Sequence, residues 1–214
     1  MNGKLAVIDR ETCFECGTCF NHARCPVDAI KKENLEWPRE LRDYNSWCGR
    51  VSLISGRGTT EVKANDVSGR VKKGEVGIIV ELGRPSPYGT YFRDVEKVAM
   101  ALAAAGVGWV KENPSTMLMK DVKTGKMKDD ILNEKCMSCI LEAKVSLNEF
   151  RKGKVMDALK EVEDKVDTTF TVSFLTRMEY DGKVPLINEL RKQGLQPAPY
   201  TKINVGLGRP LSSA

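Results

Sequence analysis

Histidine is almost absent from this chain. Of its 214 residues only His22 is a histidine, and no Ser/His/Asp arrangement accompanies it. Histidine is the side chain that most often exchanges protons near neutral pH, so general acid–base catalysis of the usual kind has little support. We therefore assign no catalytic residue from the sequence.

Long apolar runs and nucleotide-binding glycine patterns are missing too. No apolar segment approaches the roughly 18 residues that a membrane-spanning helix needs, and the first residues, "MNGKLAVIDRE", lack the cleavage site of a secretory signal. No flavin or dinucleotide fingerprint occurs, and "SGRGTT" lacks the spacing of a phosphate-binding loop. These absences predict a soluble, cytoplasmic protein.

The formal charge of +5 gives no clear footprint for nucleic acid. Lysine and arginine alternate with acidic residues, as in "MDALKEVEDKV", rather than forming a basic stripe. Nucleic acid is therefore not an expected partner.

Cysteine is the residue that the chain has in unusual number and spacing. The count of seven is odd, and a reducing cytoplasm keeps thiols free, so metal ligation is favoured over a disulfide framework. Cys13, Cys16 and Cys19 follow the pattern C-x2-C-x2-C, and Pro26 comes directly after Cys25. This pattern predicts a [4Fe–4S] cluster, with zinc as the alternative.

The same segment carries the one family resemblance in the chain. "CFECGTC" followed by "CPVDAI" resembles the cluster-binding segment of bacterial-type [4Fe–4S] ferredoxins, over roughly residues 5–30. The sequence departs from that family in one respect, because five residues separate Cys19 from Cys25 where the family has three. In two-cluster ferredoxins the fourth cysteine ligates the other cluster, and the resemblance therefore implies two ways of sharing the ligands.

All seven cysteines are candidate metal ligands: Cys13, Cys16, Cys19, Cys25, Cys48, Cys136 and Cys139. In one partition the first four cysteines bind a single cluster, and the last three cysteines are left over. In the other partition Cys25 and the last three cysteines bind a second cluster, and the first cluster keeps only three cysteine ligands. Seven cysteines are one short of the eight that two clusters require, so one iron would then take another ligand and act as a Lewis acid.

Four of the candidate residues also have plainer interpretations. The pair in "KCMSCILEA", predicted at a helix start, is a metal-binding pair, a redox dithiol or two core cysteines. Cys48 is a ligand or a single buried thiol. His22 is a cluster ligand, a proton-coupled partner of the cluster or, as we prefer, a loop residue that faces solvent.

The pattern of apolar residues predicts an α+β protein. Residues 1–73 form a small iron–sulfur region with a linker, and residues 74–214 form a ferredoxin-like split β-α-β sandwich. A helical insertion at about 129–166 carries the second cysteine pair. The predicted elements are strand 76–82, helix 91–106, a strand at 107–110 or 116–122, strand 168–177, helix 185–194 and a closing strand at 200–208.

Three functions are consistent with these features. The first is an electron-transfer subunit or accessory protein of an anaerobic, oxygen-sensitive oxidoreductase complex, which passes single electrons to a protein partner. The second is an enzyme or activating factor whose three-cysteine cluster binds substrate or sulfur. The third is a cluster-dependent sensing module, and a sandwich of this kind can also mediate oligomer formation.

Overall fold

The computed structural model describes residues 7–23, 25–43, 69–84 and 89–197. Within them, helices α1 to α6 span Thr18–His22, Phe92–Ala104, Pro114–Met117, Leu147–Phe150, Lys154–Glu163 and Pro185–Lys192. Strands β1 to β8 span Glu75–Leu82, Thr90–Tyr91, Gly108–Trp109, Met119–Asp121, Lys126–Met127, Lys135–Cys136, Cys139–Ser146 and Phe170–Thr176. Two 3₁₀ helices, Arg39–Arg42 and Asp129–Ile131, complete the secondary structure of these residues.

The main sheet has four strands in the order β3-β7-β1-β8, and every neighbouring pair is antiparallel. Strands β1 and β3 are joined through α2, and strands β7 and β8 through α5. Two such split β-α-β units in this order are the arrangement of the ferredoxin-like sandwich. The predicted α+β class is confirmed.

The core lies between one face of this sheet and the two long helices. Alternate residues of β1 enter it, as the period of two in a strand requires: Val76, Ile78, Val80 and Leu82. Helix α2 contributes residues at helical spacing: Phe92, Val95, Val98 and Leu102. Helices α2 and α5 also pack against each other. Burial of each large apolar side chain contributes about 1.5–3 kcal/mol, so this core accounts for most of the stability of the sandwich.

The predicted helical insertion at 129–166 is wrong. The segment contains β7, a central strand of the sheet, and its helix α5 is the second helix of the sandwich. The sequence "CILEAKVS" concealed the strand because its middle residues, "LEAK", favour helices, although "LEAKVS" alternates between apolar and polar residues. Both faces of the strand are covered. Leu141 and Ala143 lie in the core, while Ile140 and Glu142 on the other face are also buried.

The remaining elements agree with the predictions in part. The sequence predicts two alternatives for the second strand of the sheet. The first, at 107–110, corresponds to β3 of the main sheet; the second, at 116–122, contains β4, which pairs with β5 in a separate hairpin. Helix α6 is present as predicted, but it follows the sandwich, because β8 occupies the position of the last strand. The predicted closing strand 200–208 lies outside the described residues. The predicted boundary near residue 74 falls directly before β1, and the division into two domains stays a prediction.

Candidate metal centre

The first cysteine loop, residues 9–25, is opened by Asp9. The carbonyl of Asp9 accepts from Cys13 N–H at 3.0 Å, and its carboxylate accepts from Glu11 N–H at 3.0 Å and from the Thr12 hydroxyl at 2.9 Å. The bond from the Thr12 hydroxyl is the main reason that the pKa of Asp9 lies below its ordinary value. Asp9 therefore holds the chain in a tight turn immediately before the first cysteine.

Two left-handed residues then shape the loop between the cysteines. Glu15 has φ 52° and Gly17 has φ 74°, and Gly17 precedes the first turn of α1. The left-handed conformation favours glycine at position 17, and the nearest atom to an added Cβ would be Nδ2 of the exposed Asn21 side chain, at 3.0 Å. Backbones that enter the left-handed region can direct successive N–H groups into an anion-binding concavity, a form used at iron–sulfur sites.

Backbone and hydroxyl groups in the loop contact the cysteine sulfurs. Glu15 N–H donates to Cys13 Sγ at 3.4 Å, and Ala29 N–H donates to Cys25 Sγ at 3.3 Å. The bond from Ala29 is the largest of several that lower the pKa of Cys25, and the Cys16 contact with the Thr18 hydroxyl lowers the pKa of Cys16. The thiolate is the form that binds metal, and N–H donors to sulfur stabilise it. These donors therefore favour the thiolate form of Cys16 and Cys25.

The four sulfurs are not gathered around one point. Cys16 and Cys19 are exposed, and Cys13 and Cys25 are partly buried. In residues 7–23, 25–43, 69–84 and 89–197, no three histidine, cysteine or carboxylate side chains form a group that could hold a metal ion. Ligation by all four cysteines therefore requires the loop to close further.

The second cysteine pair lies in strands, not at a helix start. Cys136 is in β6 and Cys139 begins β7, and both side chains are fully buried in the core. Ser115 Oγ lies 3.0 Å from Cys139 Sγ and also donates to the Ile140 carbonyl. A buried thiol packs as a small apolar group, so these surroundings suit the core interpretation of the pair. The metal-binding interpretation of Cys136 and Cys139 stays a prediction.

His22 is the remaining candidate residue within the loop. His22 is the last residue of α1 and is exposed, as the solvent-facing interpretation expects. Cys48 lies outside the described residues.

Sequence reasoning missed the residues that attach the loop to the sandwich. Arg42, in the first 3₁₀ helix, and Lys135, in β6, donate to backbone carbonyls of the loop. Their partners are 29 and 124 positions away in the sequence, so no local spacing marks them.

No protein-family model, no curated protein and no solved structure matches this chain. None of the helices in the described part of the chain has the length and apolar character needed to cross a bilayer.

Proposed function

We propose that this chain is an iron–sulfur electron-transfer subunit or accessory protein of an anaerobic, cytoplasmic oxidoreductase complex. The observation that carries the proposal is the C-x2-C-x2-C spacing of Cys13, Cys16 and Cys19, together with backbone N–H groups that donate to the sulfurs of Cys13 and Cys25. Cys13, Cys16, Cys19 and Cys25 hold the cluster in this proposal. When bound, a [4Fe–4S] cluster supplies one-electron transfer.

Closure of the loop is the first step that the protein must carry out. The thiols stand apart, and metal binding commonly supplies the free energy that orders such a segment. The first cysteine loop already has its left-handed turns and its N–H donors, so closure changes mainly the positions of Cys16 and Cys19. These are the two exposed cysteines of the loop.

The position of the loop suits exchange of electrons with a partner protein. Two large apolar side chains flank the cysteines in solvent, Phe20 with 48% and Val27 with 79% of their surface exposed. Exposed apolar groups beside a site commonly mark a protein contact. A partner that covers them would come close to Cys19 and Cys25, and this supports electron transfer over a reaction at a sheltered site.

Anaerobic reconstitution with iron and sulfide tests the proposal. We expect about four iron and four sulfide per chain and an EPR signal after reduction with dithionite. Cys16→Ser should lower the iron content, whereas Cys136→Ser is the matched control in the core and should leave it unchanged. Reconstituted protein without acid-labile sulfide, or a cluster that dithionite does not reduce, would refute the proposal.

The same iron and sulfide measurement distinguishes electron transfer from the second function, an enzyme or activating factor whose cluster binds substrate or sulfur. About eight iron on seven cysteines would require an iron with a ligand other than cysteine, and that iron could bind substrate. A change of the EPR spectrum on adding cyanide would then favour the enzyme or activating factor.

A further inference from the structure

The guanidinium of Arg42 lies beneath the first cysteine loop, with only 5% of the side chain exposed. Its Nη1 donates to the carbonyls of Arg10, Glu11 and Cys13, at 3.2, 3.0 and 2.9 Å. Its Nε donates to Glu134 Oε2 at 2.7 Å, in the residue directly before β6. The buried side chain of Arg42 therefore connects two parts of the molecule: the backbone that leads into Cys13, and the sandwich at Glu134.

Two further cations hold the same stretch of backbone. Lys135 Nζ donates to the Glu11 carbonyl at 3.1 Å, and Arg39 Nη2 donates to the Arg10 carbonyl at 2.6 Å. In a trans peptide unit the C=O and the following N–H point in opposite directions. A cation that holds the Cys13 carbonyl therefore turns the Phe14 N–H away from the cation, where it can face an anionic group.

Of the three cations beneath the loop, Lys135 has the weakest charge compensation. Arg39 pairs with Glu15 and Arg42 pairs with Glu134, whereas within the described residues Lys135 forms no ion pair and interacts only at longer range with the exposed Asp9 carboxylate. The ammonium of Lys135 instead lies 5.3 Å from the ring centre of Phe14 and 5.2 Å from that of Tyr91, and the residue is only 8% exposed. A buried positive charge is costly unless an anion lies nearby, and four thiolates with a [4Fe–4S] core carry a charge of about −2.

We propose that Arg42 positions the first cysteine loop for cluster binding and that Lys135 supplies a buried positive charge at the base of this loop, within electrostatic range of a bound cluster. This inference rests on the proposed function. Arg42 is a positioning residue, because it acts on the loop through the backbone carbonyls. Reduction adds negative charge to the cluster, so the ammonium of Lys135 favours the reduced state and raises the reduction potential.

Hydrogen exchange of the metal-free chain tests the role of Arg42 separately from any cluster. Arg42→Lys keeps the charge but loses the planar fork that reaches several acceptors. We expect the amides of residues 11–16 to exchange at least about tenfold faster, with β7 unchanged. Arg151→Lys changes an arginine that pairs with Glu189 at a partly exposed site, and should leave both segments unchanged.

A second variant keeps this test decisive if Arg42→Lys unfolds the chain, which faster exchange in β7 would reveal. Glu134→Gln leaves Arg42 in place and removes only the charge of its carboxylate partner. A smaller acceleration in residues 11–16 is then expected. If the Arg42→Lys chain folds and residues 11–16 exchange at the wild-type rate, the role of Arg42 is overturned. If the Arg42→Lys chain does not fold, wild-type exchange of this segment in Glu134→Gln overturns it.

The role of Lys135 is tested on reconstituted protein by an EPR-monitored redox titration. Lys135→Met should give a more negative potential than the wild type, whereas Lys183→Met, which removes an exposed lysine, should not. An unchanged potential in Lys135→Met would overturn this role. If the wild type binds no cluster, the proposed function and the role of Lys135 fail together, and the exchange experiment still decides the role of Arg42.

Discussion

The sandwich and the N-terminal cysteine region differ in what holds them together. The sandwich buries a continuous set of apolar side chains from β1, β7, α2 and α5. In the described residues of 7–43, only one apolar side chain, Leu41, is buried. This region relies on polar contacts instead, such as the pairs Arg39–Glu15, Arg42–Glu134 and Lys32–Asp43.

The difference indicates where a metal would contribute to stability. Segments below about 40 residues rarely bury enough apolar surface to order themselves, and metals or disulfides usually replace the missing core. None of the six described cysteines forms a disulfide. A metal-free cysteine region should therefore be less stable than the sandwich, and each prediction below contrasts the two regions or their junction.

The largest expected effect comes from making the same substitution in both regions. Phe92→Ala empties a fully buried position in α2 and should destabilise the chain by about 3–5 kcal/mol. Phe20→Ala, in the exposed position beside the cysteines, should change the stability of the metal-free chain by about 0.5 kcal/mol or less. Urea unfolding followed by far-UV circular dichroism measures both. Similar losses would show that the two regions share one core.

A smaller effect is expected where the two regions touch. A Cβ at Gly89 would lie 2.4 Å from the Cys136 carbonyl oxygen and 2.8 Å from Phe14 Cε1, so alanine should force the cysteine loop away from β6. Gly182 has a similar positive φ and open space around it. Gly182→Ala should cost about 1 kcal/mol from backbone strain alone. Gly89→Ala should cost at least about 1 kcal/mol more, because of the close contacts.

The thermal unfolding midpoints of the two glycine variants give this comparison. Equal shifts would mean that the Gly89→Ala chain relieves the close contacts of the added Cβ with Cys136 and Phe14 at no cost in stability. The Gly89→Ala chain should also show faster hydrogen exchange in residues 11–16, and the Gly182→Ala chain should not.

The smallest expected effect is a pH dependence in the sandwich. Burial by itself raises the pKa of Glu75, but hydrogen bonds from Lys72 N–H and Lys144 Nζ outweigh it and hold the pKa below 4.5. A lowered pKa adds stability that is present above about pH 4.5 and is lost as the pH falls through the folded-state pKa. The pair is partly exposed, so the contribution should be below about 1 kcal/mol.

Urea midpoints at pH 7 and pH 3 measure this contribution. Glu75→Gln should be less stable than the wild type at pH 7, and the difference should shrink at pH 3. Glu149→Gln, in an exposed pair with Lys152, is the matched control and should match the wild type at pH 7. If Glu75→Gln remains less stable than the wild type by the same amount at pH 3, the loss of stability comes from packing rather than from charge.

Regular periodicity was enough to predict much of the sandwich. The strand around 76–82, the helix around 91–106, the strand around 168–177 and the helix around 185–194 all occur close to their predicted limits. The two helices each have one buried face, so the helical period of their apolar residues is visible in the sequence. Strand β1 is buried on both faces, and its β-branched run still marks it as a strand. Strand β7 was missed because its "LEAK" stretch consists of residues that favour helices, and its central position in the sheet depends on pairing with β1, more than 50 residues earlier in the chain.

The sequence by itself determined the spacing of Cys13, Cys16 and Cys19, because that spacing is local, and from it the sequence predicts thiolate ligands for an iron–sulfur cluster. Only the tertiary structure decided the surroundings of the second cysteine pair and of the cations beneath the loop. Pairing of β6 and β7 placed Cys136 and Cys139 in the core, and the docking of the loop placed Arg42 and Lys135 beneath it. Burial and long-range hydrogen bonds depend on which segments meet in space, and no local spacing in the chain encodes that.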